Sequence, residues 1–324
     1  MRFLLVMGSI VFNLTFSFGQ NTSGITQKQD TSFTKTQALK SAIGKFPHVK
    51  LAQVNFNDLQ INIEKDIIYS KNNNLALDIF SPKSSTKPQI GILLIHGGGW
   101  RSGDRSNHHE MAAILASRGY VVLTPAYRLS THALYPAAVT DLKTSIKYMR
   151  ANAKAFNIDP NKIAAVGFSA GGQLAALMGS TSNEKFFESE TEYPAISAKI
   201  NAVVDIDGIL AFIHPESGEG DDTKNTSAAT HWFGYLKTEN PTLWQQASAL
   251  NHVSAGDPPI LFLNSSQSRM HAGREDMILK MNALGIHSEV YTFNGAPHSF
   301  CMLDKWFLPT VNRIDAFLDE NLEK

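Results

Sequence analysis

In the run AAVGFSAGGQLAALMG, residues 164–179, an apolar segment ends at Gly167, a lone serine follows between small residues, and apolar side chains resume at helical spacing. Gly167, Ser169 and Gly171 satisfy Gly-x-Ser-x-Gly. A strand passing abruptly into a helix here would force the serine into a strained, exposed corner that bulkier neighbours would obstruct. Such a corner suits a nucleophile; the competing reading is a turn that only packs. A serine hydroxyl also needs a general base at neutral pH. Of 11 histidines, His298 in FNGAPHSF directly follows the last apolar strand segment and precedes the closing helix, on a loop at the same end of the sheet. His108 and His109 sit beside Glu110 without metal-ligand spacing. His132, His214, His231, His252, His271 and His287 form no i, i+4 pair, so no metal site is expected.

Attack by a serine on an ester carbonyl develops an oxyanion, and each preorganised N–H donor that stabilises it is worth about 2.7–4 kcal/mol when removed. LLIHGGGW ends an apolar strand on Gly97, Gly98 and Gly99, whose backbone amides can face a ligand. Gly98 and Gly99, with the amide of Ala170 just after the serine, are the expected oxyanion donors. A phosphate loop is excluded because no Gly-Lys-Ser/Thr follows. The chemistry calls for no cofactor.

These groups need a scaffold that brings residues about 98, 169 and 298 to one edge. KDIIYS and LALDIF flank Asn72, Asn73 and Asn74 as a hairpin. Continuous apolar runs then alternate with helical segments: QIGILLIHGGG, SNHHEMAAILASRG, YVVLTPAY, a long helix over about 137–156, KIAAVGFS, and the helix after Ser169. INAVVDIDG, PPILFLNSS, a helix ending at Gly285, SEVYTFNG and a closing helix from Pro309 complete the series. The pattern predicts an α/β fold, a mostly parallel sheet with helices on both faces, whose ligands bind at the carboxyl ends of the strands. The irregular stretch at about 209–256 follows a strand's carboxyl end and should overhang the active face.

With 29 basic and 29 acidic side chains, the formal charge is zero, which removes the electrostatic reason to expect nucleic acid or anionic membrane as a partner. Arg2, the apolar stretch 3–18 and the small or polar residues after it have the layout of a secretory signal peptide over 1–19, so a secreted or periplasmic protein without a membrane anchor after cleavage is expected. Residues 20–62 are polar, with a weak helical pattern at 38–46, and read as a loosely packed arm; the folded domain would occupy 63–324. Cys301 is the only cysteine, so stability rests on a packed core rather than an intramolecular disulfide.

HGGGW, YRL at 127–129, YPAAVTDLKTSIKYMRANA, NIDPNKIAAVGFSAGG and the late PHSF together resemble an α/β-hydrolase of the esterase and lipase group, over about residues 65–320. VVDIDGILAFIHPESGEG and NSSQSRMHAGRED are similar to secreted bacterial pectin or xylan acetylesterases. The resemblance implies acyl transfer through a Ser, His and acid triad. Similar enzymes usually supply the acid after the strand corresponding to PPILFLN, near Ser268, where SSQSRMH has no carboxylate. Asp207, at the end of the preceding strand, is the first choice because some lipases of this fold supply their acid from that position. Glu275 and Asp276 are second, and a weak or absent acid is the remaining alternative. An acetylated carbohydrate substrate is implied, with Trp100, Trp232, Arg269 and Arg274 as substrate-binding candidates. Trp232 and Trp244 would stack on sugar rings or pack under the loop, and an arginine would pair a uronate carboxylate. A peptidase or amide hydrolase of the same fold, and a binder that has lost catalysis, stay open.

Overall fold

The computed structural model describes residues 19–28, 30–182, 184–189 and 192–323. The signal-peptide stretch 3–18 lies outside them. Among the described residues the strands form one sheet: β1 (Ile61–Ser70), β2 (Leu75–Pro82), β3 (Gln89–Ile95), β4 (Val121–Pro125), β5 (Ile158–Phe168), β6 (Ala202–Ile206), β7 (Ile260–Asn264) and β8 (Ser288–Thr292). Their order is β1-β2-β4-β3-β5-β6-β7-β8, antiparallel at β1/β2 and β2/β4 and parallel from β4 onward. The parallel part is the α/β arrangement that continuous apolar runs call for. Every residue of β3, β4, β6 and β7 is buried, as a sheet covered on both faces requires.

The sheet divides the core into two layers. Helices α3 (Ala137–Ala151), α5 (Ala170–Ser180) and α8 (Arg274–Ala283) pack on one face, with the insertion helices α6 (Ala228–Phe233) and α7 (Pro241–Gln246). On the other face lie α1 (Lys35–Ile43), α2 (His109–Ser117) and α9 (Asp304–Leu322). The expected helix over 137–156 is interrupted at Asn152, after which the short α4 (Ala153–Phe156) ends on Asn157 in the left-handed conformation. The closing helix starts at Asp304, five residues before the expected Pro309. Proline removes one internal hydrogen bond, but the buried Trp306 and Phe307 hold the preceding turn against the core.

Residues 20–62 differ from a loose arm. Ala38 and Ala42 of α1 are buried in the second core layer, and Asn21 and Gln27 donate backbone hydrogen bonds to Gly234 and Thr131. A polar segment can be tied down by backbone and ionic contacts that leave little trace in its hydrophobic pattern.

Candidate active site

The corner between β5 and α5 is tight. A Cβ on Gly167 would stand 2.0 Å from the Gly171 carbonyl oxygen, and one on Gly171 would stand 2.3 Å from that of Ile95, so neither position admits a side chain. Ser169 between them is held at φ +57°, ψ −120°, a backbone conformation that costs a non-glycine residue about 1–3 kcal/mol. Its amide donates to the Ile206 carbonyl at 2.8 Å, and its carbonyl accepts from Gln173, so the corner is fixed from both sides.

His298 comes from the loop after β8. Its Nε2 lies 2.9 Å from Ser169 Oγ and its Nδ1 2.9 Å from Asp207 Oδ2. With Nδ1–H donating to the carboxylate, Nε2 is left as the acceptor of the serine hydroxyl proton. Asp207, one residue past β6, is fully buried at φ +54°. A buried carboxylate needs partners on its oxygens. Oδ1 accepts the Ser265 amide at 2.7 Å, from the end of β7, while Oδ2 faces His298.

The other carboxylate candidates are engaged elsewhere. Glu275 accepts from Arg274, and Asp276 faces His214 Nε2 at 3.2 Å. Asp207 is the one of the three hydrogen-bonded to His298. The end of β7, where no carboxylate stands, contributes a backbone donor to it instead.

Gly98 (φ +121°) and Gly99 (φ +58°) follow β3 beside this corner, and a Cβ on Gly97 would lie 3.0 Å from that of Ser169. Ala170 is the first residue of α5, so its amide has no intrahelical acceptor and sits at the positive end of the helix dipole. Sequence reasoning missed the residues that brace this loop. Gln173 accepts from Trp100 Nε1 at 2.8 Å and donates to the Ala247 carbonyl at 2.9 Å, tying the glycine loop to α5 and the insertion. Tyr127 donates its hydroxyl to the His96 carbonyl at 2.9 Å and stacks on the His96 ring; burial pushes that imidazole down to about 4, which keeps it neutral. Asp205 is wedged between Gly172 and Gly208, accepting the Gly208 amide at 2.7 Å, and burial raises its carboxyl well above the usual range. No local pattern signals these roles, since each depends on a partner from another element.

Four substrate-binding candidates, Trp100, Trp232, Trp244 and Arg274, are engaged within the protein instead, and for Trp232 and Trp244 the packing alternative holds. Trp232 and Trp244 are fully buried and Trp100 is 4% exposed. The Trp100 and Trp232 rings stack on each other with centroids 4.8 Å apart, and Phe212, Phe233 and Trp244 fill the space around them. Apolar burial outweighs exposure for rings this large, so they are the small core that holds the insertion down. Trp232→Ala is expected to lower stability to urea by about 3–5 kcal/mol. A variant as stable as wild type but weakened in polysaccharide binding would return the ring to substrate. Arg274 is also taken, donating to Asn264 Oδ1 at 2.6 Å and to Glu275 Oε1 at 2.9 Å. Arg269 is exposed beside Gly218 and Glu219 of the insertion.

Residues 77–273 match the family described as BD-FAE. The chain belongs to the BD-FAE family. It is similar to esterase LipC of Mycobacterium tuberculosis, 27% identical over 268 residues that cover 78% of this chain and 64% of LipC. It therefore spans slightly less than two thirds of that relative. Among solved structures, a truncated carbohydrate esterase from gut microbiota aligns with a TM-score of 0.68 at 23% identity, over 85% of this chain and all of the other. Propionate-bound esterase 2 of Thermogutta terrifontis aligns with a TM-score of 0.65 at 25% identity, over 81% of this chain and 94% of its own. With the sheet order above, these likenesses make this BD-FAE member an α/β-hydrolase.

Proposed function

We propose that Ser169, His298 and Asp207 are the nucleophile, general base and orienting acid of a secreted esterase that removes acetyl or another short acyl group from a plant polysaccharide such as pectin or xylan. The chain is a carboxylic ester hydrolase, the activity for which its relatives are named. The observation that carries the triad reading is the continuous hydrogen-bond path from buried Asp207 through His298 to a serine held in strained backbone.

In the reaction, His298 Nε2 takes the Ser169 proton as Oγ attacks the ester carbonyl. The amides of Gly98, Gly99 and Ala170 hold the oxyanion, and His298 returns the proton to the departing sugar hydroxyl. Water then gives one proton to Nε2 as its oxygen attacks the acyl carbonyl, His298 passes that proton to the departing Ser169 Oγ, and the acid is released and loses its own proton to solvent.

Support for a short acyl group comes from the insertion. The Ala228 side chain would lie 3.0 Å from a Cβ on Gly99, and the packed aromatic cluster lies behind it, which limits the room beside the glycine loop. The neighbour from Thermogutta terrifontis holds propionate. Support for a polysaccharide comes from the sequence likeness to pectin and xylan acetylesterases and from exposed Arg269, whose guanidinium can pair a uronate; export rests on the apolar stretch 3–18.

The test is a p-nitrophenyl ester series beside acetate release from acetylated pectin and xylan, with Arg269→Ala in parallel. Acetate is expected to be turned over much faster than octanoate, and Arg269→Ala to impair the pectin reaction while sparing p-nitrophenyl acetate, which has no carboxylate to pair. Equal rates on acetate and octanoate, or no acetate from either polysaccharide, defeat the substrate reading.

A further inference from the structure

The oxyanion loop runs through positive φ at three consecutive residues, Gly98 at +121°, Gly99 at +58° and Trp100 at +56°, and the last is strained because Trp100 carries a Cβ. Such backbone persists only where its surroundings over-determine it. The Gly98 carbonyl accepts from the Ser102 amide at 2.9 Å, from Ser102 Oγ at 2.9 Å and from the Arg101 amide at 3.2 Å. Because a trans peptide is planar, fixing the Gly98 C=O in one direction fixes the Gly99 N–H in the opposite one. Arg101 and Ser102 therefore set the aim of an expected oxyanion donor.

Those two residues are gripped from outside the hydrolase sheet by the N-terminal arm. Asp30 Oδ2 accepts from Arg101 Nε at 2.8 Å, and Asp30 forms a parallel β-bridge with Ser102. Arg101 Nη1 also donates to the Gly24 carbonyl at 3.2 Å, and the Ser32 hydroxyl donates to Ser102 Oγ at 3.4 Å. Both members of the ion pair are about four-fifths covered, and Ser102 is 1% exposed. The contact is thus shielded, unlike surface pairs that contribute little.

We propose that Asp30, through Arg101 and Ser102, is a positioning residue for the Gly98–Gly99 peptide, so that the N-terminal arm is a working part of the oxyanion site. The inference rests on the oxyanion reading above. An arm that only covered the domain would affect stability alike wherever it was loosened. An arm that aims a donor affects the transition state where it touches the loop.

The experiment compares Asp30→Ala, Arg101→Ala, their double variant and Lys35→Ala, which breaks the arm's separate ion pair with Glu110 on α2. With p-nitrophenyl acetate, Asp30→Ala and Arg101→Ala are each expected to lower kcat roughly 10-fold with KM within about twofold, a fraction of the about 10²–10³-fold cost of deleting a donor. The double variant should fall no further than the weaker single, because both act through one contact. Lys35→Ala should keep the wild-type kcat. Wild-type kcat in Asp30→Ala, additive losses in the double variant, or an equal loss in Lys35→Ala overturns the proposal. Ser169→Ala in the same assay separates this from failure of the triad reading, which would show as activity retained there.

Discussion

Ser169→Ala is expected to lower kcat for p-nitrophenyl acetate by at least about 10⁴-fold while the protein stays folded. The hydroxyl is half-buried and makes its side-chain hydrogen bond to His298, so removing it takes little packing from the core. Alanine carries the same Cβ and leaves the backbone at φ +57° neither relieved nor worsened. The remaining amides at Gly98, Gly99 and Ala170 can still polarise a carbonyl, which sets a small residual rate above that of water. Steady-state kinetics, with fluorophosphonate labelling of wild type and variant, measure the effect. Near-wild-type turnover or undiminished labelling in Ser169→Ala removes the serine from its role.

The second large effect belongs to Asp207→Asn, for which a loss of about 10²–10⁴-fold in kcat is expected. An asparagine can keep its carbonyl oxygen on the Ser265 amide, and its NH2 group then faces His298 Nδ1. The imidazole answers by placing its proton on Nε2, where it points at Ser169 Oγ and can no longer accept the serine proton. Glu275→Gln and Asp276→Asn should stay within a few-fold of wild type, because their carboxylates meet Arg274 and His214 rather than His298. A collapse in either of these two, with Asp207→Asn active, reverses the assignment of the acid.

Much of the architecture was legible from the chain because the signals are local. The Asn-rich turn between β1 and β2, the mostly apolar, wholly buried runs of β3 and β7, and the glycines around Ser169 each report a backbone requirement within a few residues of themselves. Where such signals conflict with burial, burial prevailed: Pro309 sits inside α9 because Trp306 and Phe307 anchor the turn before it. The arm was the least legible part. Its helix α1 buries only two small alanines, Ala38 and Ala42, which leave no more than the weak helical pattern at 38–46, and its hold on Ser102 is a backbone bridge with an ion pair alongside, which leaves no apolar pattern at all.

By itself, the sequence determined the alternation of strand and helix, the serine at a strand-to-helix corner, the glycine loop, and a late histidine placed to meet them. Each follows from steric limits on nearby φ and ψ and from the period of apolar side chains. Only the tertiary structure decided which carboxylate faces His298, 91 residues from Asp207 along the chain, and that Trp100 and Trp232 stack on each other while Trp244 packs on Phe233. It also decided that an amide at the end of β7 supports the acid and that a polar arm braces the glycine loop. Those outcomes depend on which distant groups share a desolvated space, where an unpaired charge is costly and large rings gain most by leaving water. No spacing along the chain encodes that proximity.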